Sequence, residues 1–136
     1  MRFDKSVEPE VKKACKEFVK WIGVEYGFPK ELQLYFKGTV KIRASDGEYV
    51  SATCFLPFDL NEIPYAKIST GDYLQLKKSV GRDNALAGIL SSIAHEITHY
   101  FQWVRRMELS DEQIEKQAEK CARYVVDKYA CTREHP

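Results

Sequence analysis

The chain has 136 residues, of which 44% are hydrophobic and 30% charged, so it is long enough to fold as a single domain, residues 1–136, around one core. Its formal net charge of +1 provides no strong field, and neither nucleic acid nor an anionic membrane is implied as a partner. No apolar run approaches the length of a membrane span and the N-terminus lacks the apolar segment of a signal peptide, so the expected location is cytoplasmic.

The cysteines form no CxxC pair, and each falls in or at the end of a predicted helix or strand. Without a secretion signal, reduced thiols buried as small apolar side chains are expected, and a disulfide or a thiolate metal site is the alternative. The four residues concerned are Cys15, Cys54, Cys121 and Cys131.

The first predicted element is an amphipathic helix over residues 8–26. Pro9 stands near its start and Gly27 just past its end, an arrangement typical of helix boundaries. Its polar face is rich in lysine, as a solvated face normally is, so the helix is interpreted as scaffold.

From Glu31 the apolar period changes to two, and turn signals at Gly38 and Asp46-Gly47 predict three short antiparallel strands. A loop bounded by proline at both ends follows, and residues 65–70 then predict a fourth strand. Pro64 at its entrance suits an edge strand. Residues 72–82 show no clean period and are predicted to form a loop with at most a short turn of helix.

The strongest apolar periodicity, with spacings of three and four, predicts a helix that begins at Asp83 or Asn84 and runs to about Met107. It carries the motif His95-Glu96-Ile97-Thr98-His99. Histidines four residues apart lie on the same side of a helix, so both imidazoles can reach one metal ion. Glu96 would then be the general base that acts on a water at the metal. The alternative is an ordinary solvated helix face.

A last helix is predicted from the capping box at Ser110 to about Ala130. Glu115 and Glu119 form a stripe with apolar residues further along this helix, so their carboxylates are expected to face inward and to need a cation. The alternative is that both glutamates lie on a solvent-exposed border of the helix and pair with lysine. A third histidine ligand is less expected, because His135 lies in the C-terminal tail.

These residues resemble a known group of enzymes. The HEITH motif, Gln102 after it and the segment 115–122 look like the gluzincin metallopeptidases, in particular the minigluzincins and the related ImmA/IrrE-like and SprT-like proteins. The metzincin pattern does not fit, because Arg105 stands where that class has a third histidine. The resemblance covers roughly residues 65–126, and only HEITH is specific.

The resemblance implies a small α+β zincin-like domain with a short, mostly antiparallel sheet, an HExxH helix and a glutamate helix. It implies one Zn²⁺ per chain, held by His95, His99 and Glu115, with Glu119 orienting a histidine. Because Glu119-Lys120-Cys121-Ala122 fits the shorter pattern too, Glu119 is the alternative ligand. In these families an edge strand binds the substrate backbone, which here would involve Ala66, Ile68 and Thr70.

The predicted function is therefore a zinc metallopeptidase that cleaves an extended peptide or protein segment. Larger gluzincins stabilise the oxyanion with a C-terminal subdomain that is not expected here, and Tyr100, Tyr124 and Tyr129 are the candidates for that role. Two alternatives remain: a non-catalytic zinc domain used for interaction, and a latent peptidase whose Cys131 or His135 covers the metal.

Overall fold

Four helices and six short strands follow one another along the chain in the computed structural model, which describes residues 1–136. The mixture of helices with small sheets confirms the α+β class. No helix is both long enough and apolar enough to cross a membrane. The elements are β1 Arg2–Phe3, α1 Pro9–Tyr26, β2 Gln33–Lys37, β3 Ile42–Arg43, β4 Tyr49–Val50, β5 Ala52–Phe55, β6 Tyr65–Ser69, α2 Tyr73–Val80, α3 Arg82–Val104 and α4 Asp111–Ala130.

The main sheet has the strand order β1-β2-β6-β5, and β3 and β4 form a separate antiparallel hairpin. The prediction of a mostly antiparallel sheet is wrong, because β1 with β2 and β2 with β6 pair in parallel and only β5 with β6 is antiparallel. Parallel neighbours need a long crossover connection. Helix α1 supplies that connection between β1 and β2, and residues 38–64 supply it between β2 and β6.

The prediction that residues 65–70 form an edge strand is also wrong. Strand β6 lies between β2 and β5, so Ala66 and Ile68, both fully buried, have neighbouring strands on both sides. Thr70 is 4% exposed and donates both its N–H and its hydroxyl to the carbonyl of Lys37. These three residues therefore do not reach an extended peptide. Pro64 permits an interior strand because it precedes the first paired residue, so no ladder hydrogen bond is lost.

Residues 73–80, predicted as a loop, form helix α2. One residue of this helix, Tyr73, is buried, so the segment shows no apolar period. The Tyr73 hydroxyl donates to Glu10 of α1 at 2.5 Å, and Lys77 and Arg82 reach the same carboxylate at 2.7 and 3.3 Å. Lys77 is the largest of the influences that lower the pKa of Glu10 to about 2. An ion cluster thus fixes α2 between α1 and α3.

A single core of 21 buried residues joins α1, the inner face of the sheet and α3. Helix α1 contributes the face that includes Val11, Cys15 and Phe18, and β2 contributes Leu34 and Phe36. Helix α3 lies against the sheet on one side and against α4 on another, which explains why eleven of its 23 residues are buried. The motif helix is therefore held on several sides before any ligand is considered.

Candidate metal centre

Helix α3 presents the two motif histidines towards α4. Ile93 and Ile97 on its core face are 0% and 3% exposed, and their burial fixes the rotation of the helix. The side chains of His95 and His99 retain 26% and 11% of their exposure. Their Nε2 atoms are 3.1 Å apart, so both rings are directed at one point in space, as the four-residue spacing predicts.

Helix α4 brings Glu115 to the same point. The helix begins with a complete capping box, in which Ser110 Oγ accepts from the N–H of Gln113 and Gln113 Oε1 accepts from the N–H of Ser110. One turn further on, the two carboxylate oxygens of Glu115 lie 3.2 Å from His95 Nε2 and 3.2 Å from His99 Nε2. The Glu115 side chain is 59% exposed, which leaves solvent access to the group.

These three residues fit one tetrahedral zinc ion. Donor atoms held about 2.0 to 2.1 Å from such an ion lie roughly 3.3 to 3.4 Å from one another. The two Nε2 atoms are 3.1 Å apart and each lies 3.2 Å from one of the two carboxylate oxygens of Glu115, so the three groups converge at about that spacing. Two imidazoles and a carboxylate suit zinc and its first-row neighbours rather than magnesium or calcium, which prefer all-oxygen sites. His95, His99 and Glu115 are a group of the type that can hold a metal ion.

A hydrogen-bond chain determines which nitrogen of His99 faces this group. Gln102 is buried, and its amide nitrogen donates to the carbonyl of Ile114 at 3.1 Å and to Gln117 Oε1 at 2.9 Å. A backbone carbonyl only accepts, so the amide oxygen of Gln102 must face His99 Nδ1, at 2.9 Å. Nδ1 therefore carries a proton, which leaves Nε2, on the side of Glu115 and His95, as the nitrogen that a metal ion would use. This is the tautomer that metal ligation requires.

Glu96 lies beside the group without joining it. It is 7% exposed, and burial raises the pKa of its carboxyl above the usual range, while the Cys54 thiol and the two histidines lower it in part. Burial, followed by the charge of Glu96, raises the pKa of the Cys54 thiol. Because Cys54 is on β5, this contact places one of the two edge strands of the sheet next to Glu96.

Two clefts adjoin the histidines, one at the start of β5 and one at the loop that follows it. The first, of about 280 Å³, lies beside His95 and is lined by small and polar residues, namely Ser51, Ala52, Ser91, Ser92 and Glu96. The second, of about 570 Å³, lies beside His99 and is largely apolar, with Leu56, Phe58, Trp103 and Ile114 in its wall. Trp103 Nε1 donates to the carbonyl of Pro57 at 2.7 Å, which ties the loop after β5 to α3. The two clefts thus differ in polarity.

The structure separates Glu115 from Glu119. Glu119 is outside the ligand group and lines another cleft beside His95 together with Arg123 and Asp127. Its predicted role in orienting a histidine has no hydrogen bond to match it, since the partner of His99 Nδ1 is Gln102. The assignment of Glu115 as the ligand remains a prediction that this geometry favours.

The remaining candidates lie elsewhere. His135 Nδ1 is 2.8 Å from Asp83 at the start of α3, and Cys131 is exposed at the end of α4. Tyr100 is buried and hydrogen-bonded to the backbone of Lys30, Tyr129 is buried against Phe18, and Tyr124 is 64% exposed on another face. None of the three tyrosines lines the clefts beside the histidines.

Sequence reasoning missed two residues of this site. Cys54 has no local signal, because its approach to Glu96 depends on strand order. Gln117 had a weak signal, since it stands three residues after Ile114 and four before Cys121, at the spacing of the apolar side of the helix, but its contact with Gln102 depends on how α3 and α4 cross.

Comparisons of the chain with protein-family models, with curated proteins and with solved structures found no match. Support for a metal centre therefore comes from the residues of the chain itself.

Proposed function

We propose that this protein is a zinc-dependent metallopeptidase in which His95, His99 and Glu115 hold one zinc ion. The observation that supports it best is the convergence of two Nε2 atoms, 3.1 Å apart, on the Glu115 carboxylate, whose two oxygens each lie 3.2 Å from one ring, beside the buried carboxylate of Glu96. A carboxylate next to an open three-ligand site is the arrangement that metal-assisted hydrolysis uses. The zincin resemblance and a cytoplasmic location belong to the same proposal.

Bound zinc would supply a Lewis acid that polarises a carbonyl and acidifies water. Glu96 would accept the proton of the attacking water at a carboxylate oxygen and later return it to the leaving amine. Burial favours this role, because a desolvated carboxylate binds a proton more strongly. Gln102 would keep His99 in the tautomer that presents Nε2.

The substrate would lie along β5 instead of β6. Strand β5 pairs with β6 on one side only, so the backbone groups of its other side are available to an extended peptide. A peptide in this position would pass Glu96 between the two clefts. Its side chain beside Trp103 would be large and apolar, and its side chain beside Ser51 and Ser92 small or polar.

The test is peptide cleavage by the zinc-loaded protein and by Glu96→Gln, with zinc content measured on both. Gln keeps the shape of the side chain and removes the base, so we expect a loss of at least 100-fold in kcat with one zinc retained. Glu119→Gln is the matched control, because it removes a carboxylate from the same cleft region and should retain both activity and zinc.

If the wild type and Glu96→Gln cleave equally, the proposed role of Glu96 is wrong. If both hold one zinc and neither cleaves any member of a broad peptide library, a non-catalytic zinc domain replaces the peptidase.

A further inference from the structure

A separate cavity of about 300 Å³ lies on the far side of the α3 and α4 pair, at the end of α1. Nine of its thirteen lining residues are hydrophobic, and neither His95, Glu96 nor Glu115 is among them. The volume and the apolar lining match those of sites for small organic molecules. The main apolar contributors are Ile22, Tyr26, Phe101, Met107, Tyr124 and Val125.

The cavity has one charged residue in its wall, Arg105. Its guanidinium centre lies 5.3 Å from the ring centre of Phe101, and Arg105 takes part in none of the ion pairs of the chain. No carboxylate lines the cavity. An apolar chamber with a single uncompensated cation at its wall complements a molecule that has an apolar body and one negative charge.

The same cavity touches the residues that orient His99. Gln102 and Gln117 are both in its wall, and the hydrogen bond of 2.9 Å between them joins α3 to α4. Gln102 continues to His99 Nδ1 at 2.9 Å. A molecule in the cavity is therefore one side chain away from the candidate metal ligand.

We propose that this cavity binds a small apolar monoanion of the aromatic carboxylate class and that its occupation tightens zinc binding through Gln102. The carboxylate would pair with Arg105 and the ring would pack among Phe101, Tyr124 and Val125. A bound ring would cover the hydrogen bond between Gln102 and Gln117 and exclude water from it, which favours the arrangement in which Gln102 holds His99 Nδ1. Ligand binding is independent of the proposed peptidase activity, whereas the coupling rests on the proposed zinc site.

The test of binding is an NMR titration of the zinc-loaded, 15N-labelled protein with 2-naphthoate and with the neutral 2-naphthylmethanol. We expect saturable shifts at the amides of Phe101, Gln117 and Cys121, and binding of the alcohol about three- to fivefold weaker, the value of one exposed ion pair. Arg105→Gln should remove the difference between the two probes, whereas Arg43→Gln, which changes an exposed arginine on β3, should preserve it.

A cavity-filling variant, Cys121→Phe, should weaken both probes, since Cys121 lines the chamber and is only partly buried. Absence of saturable shifts at the cavity in the folded wild-type protein would overturn the site. Equal affinity for the two probes would overturn the assignment of a monoanion.

The coupling is measured as zinc affinity, by competition with a chromophoric chelator, with and without saturating 2-naphthoate. We expect about fivefold tighter zinc binding with the ligand, and by linkage the same factor in naphthoate affinity with zinc. An unchanged zinc affinity would overturn the coupling. If the chain binds no zinc, the proposed function fails, while the NMR titration of the zinc-treated protein still decides whether the cavity binds the anion.

Discussion

The substitution Gln102→Met tests whether Gln102 orients His99 or only fills buried space. Methionine has nearly the same length as glutamine but forms none of the three hydrogen bonds of the amide. Gln102 is 6% exposed and bonds to His99 Nδ1, the carbonyl of Ile114 and Gln117 Oε1 at 2.9, 3.1 and 2.9 Å. The variant leaves the Nδ1–H of the buried His99 without a partner, at about 1 to 3 kcal/mol, whereas the Ile114 carbonyl lies within helix α4 and loses only a second donor. We therefore expect the free energy of unfolding without zinc to fall by about 1 to 3 kcal/mol.

Zinc affinity should also fall, by about 10- to 100-fold, because the ring of His99 is no longer held in the tautomer that presents Nε2. Gln102→Glu provides the matched comparison. Its carboxylate still accepts from His99 Nδ1 but donates nothing to Ile114, so zinc affinity should stay within about threefold of wild type while stability falls. Urea unfolding without zinc and chelator competition measure the two quantities. A folded Gln102→Met variant with wild-type zinc affinity would refute the proposed role of the hydrogen-bond chain.

Three further results are expected. Glu115→Ala should weaken zinc binding by roughly 100-fold or more and Glu119→Ala by less than about threefold, as measured by chelator competition; the reverse order would make Glu119 the ligand. The partner Asp83 raises the pKa of His135, and His135 is the first cause of the lowered pKa of Asp83. Their pair therefore stabilises the fold above the usual carboxylate range and below about pH 6.5, and is lost as pH rises through the raised pKa of His135. His135→Gln should accordingly lower the urea midpoint at pH 5.5 and leave it unchanged at pH 9, and an equal loss at both values would contradict the ion pair. Tyr129→Phe should raise the free energy of unfolding by about 1 kcal/mol in urea titrations, because the buried hydroxyl of Tyr129 has no hydrogen-bond partner; a loss of similar size would show that the hydroxyl is satisfied.

Local patterns predicted the helices well, because their signals lie within a few turns of one another. Pro9 and Gly27 bracket α1, which spans Pro9–Tyr26, and the capping box at Ser110 begins α4 as expected. The motif helix α3 ends at Val104, within three residues of the predicted Met107. Helix α2 was not predicted, because it is held by hydrogen bonds to the distant carboxylate of Glu10, which no local pattern reveals.

The order of the strands was predicted wrongly because it too depends on contacts between distant residues. Residues 65–69 have the alternation of a strand in the sequence, but alternation is the same in an edge strand and an interior one. Which strand occupies the edge depends on the crossover through α1 and on the return of β5 against β6, contacts between residues far apart in the chain. The strand proposed to bind a peptide is therefore β5, and no longer β6.

The sequence by itself determined the parts of the metal centre that one helix can encode. A spacing of four places His95 and His99 on one side of α3, and their Nε2 atoms are 3.1 Å apart. Only the tertiary structure decided which side chains of α4 contact these histidines. The crossing of α3 and α4 brings Glu115 to within 3.2 Å of both rings and leaves Glu119 outside the group, and the same crossing joins Gln102 to Gln117. The physical reason is that helical periodicity specifies which side chains share a face, whereas the rotation and position of one helix against another are set by packing of the whole core.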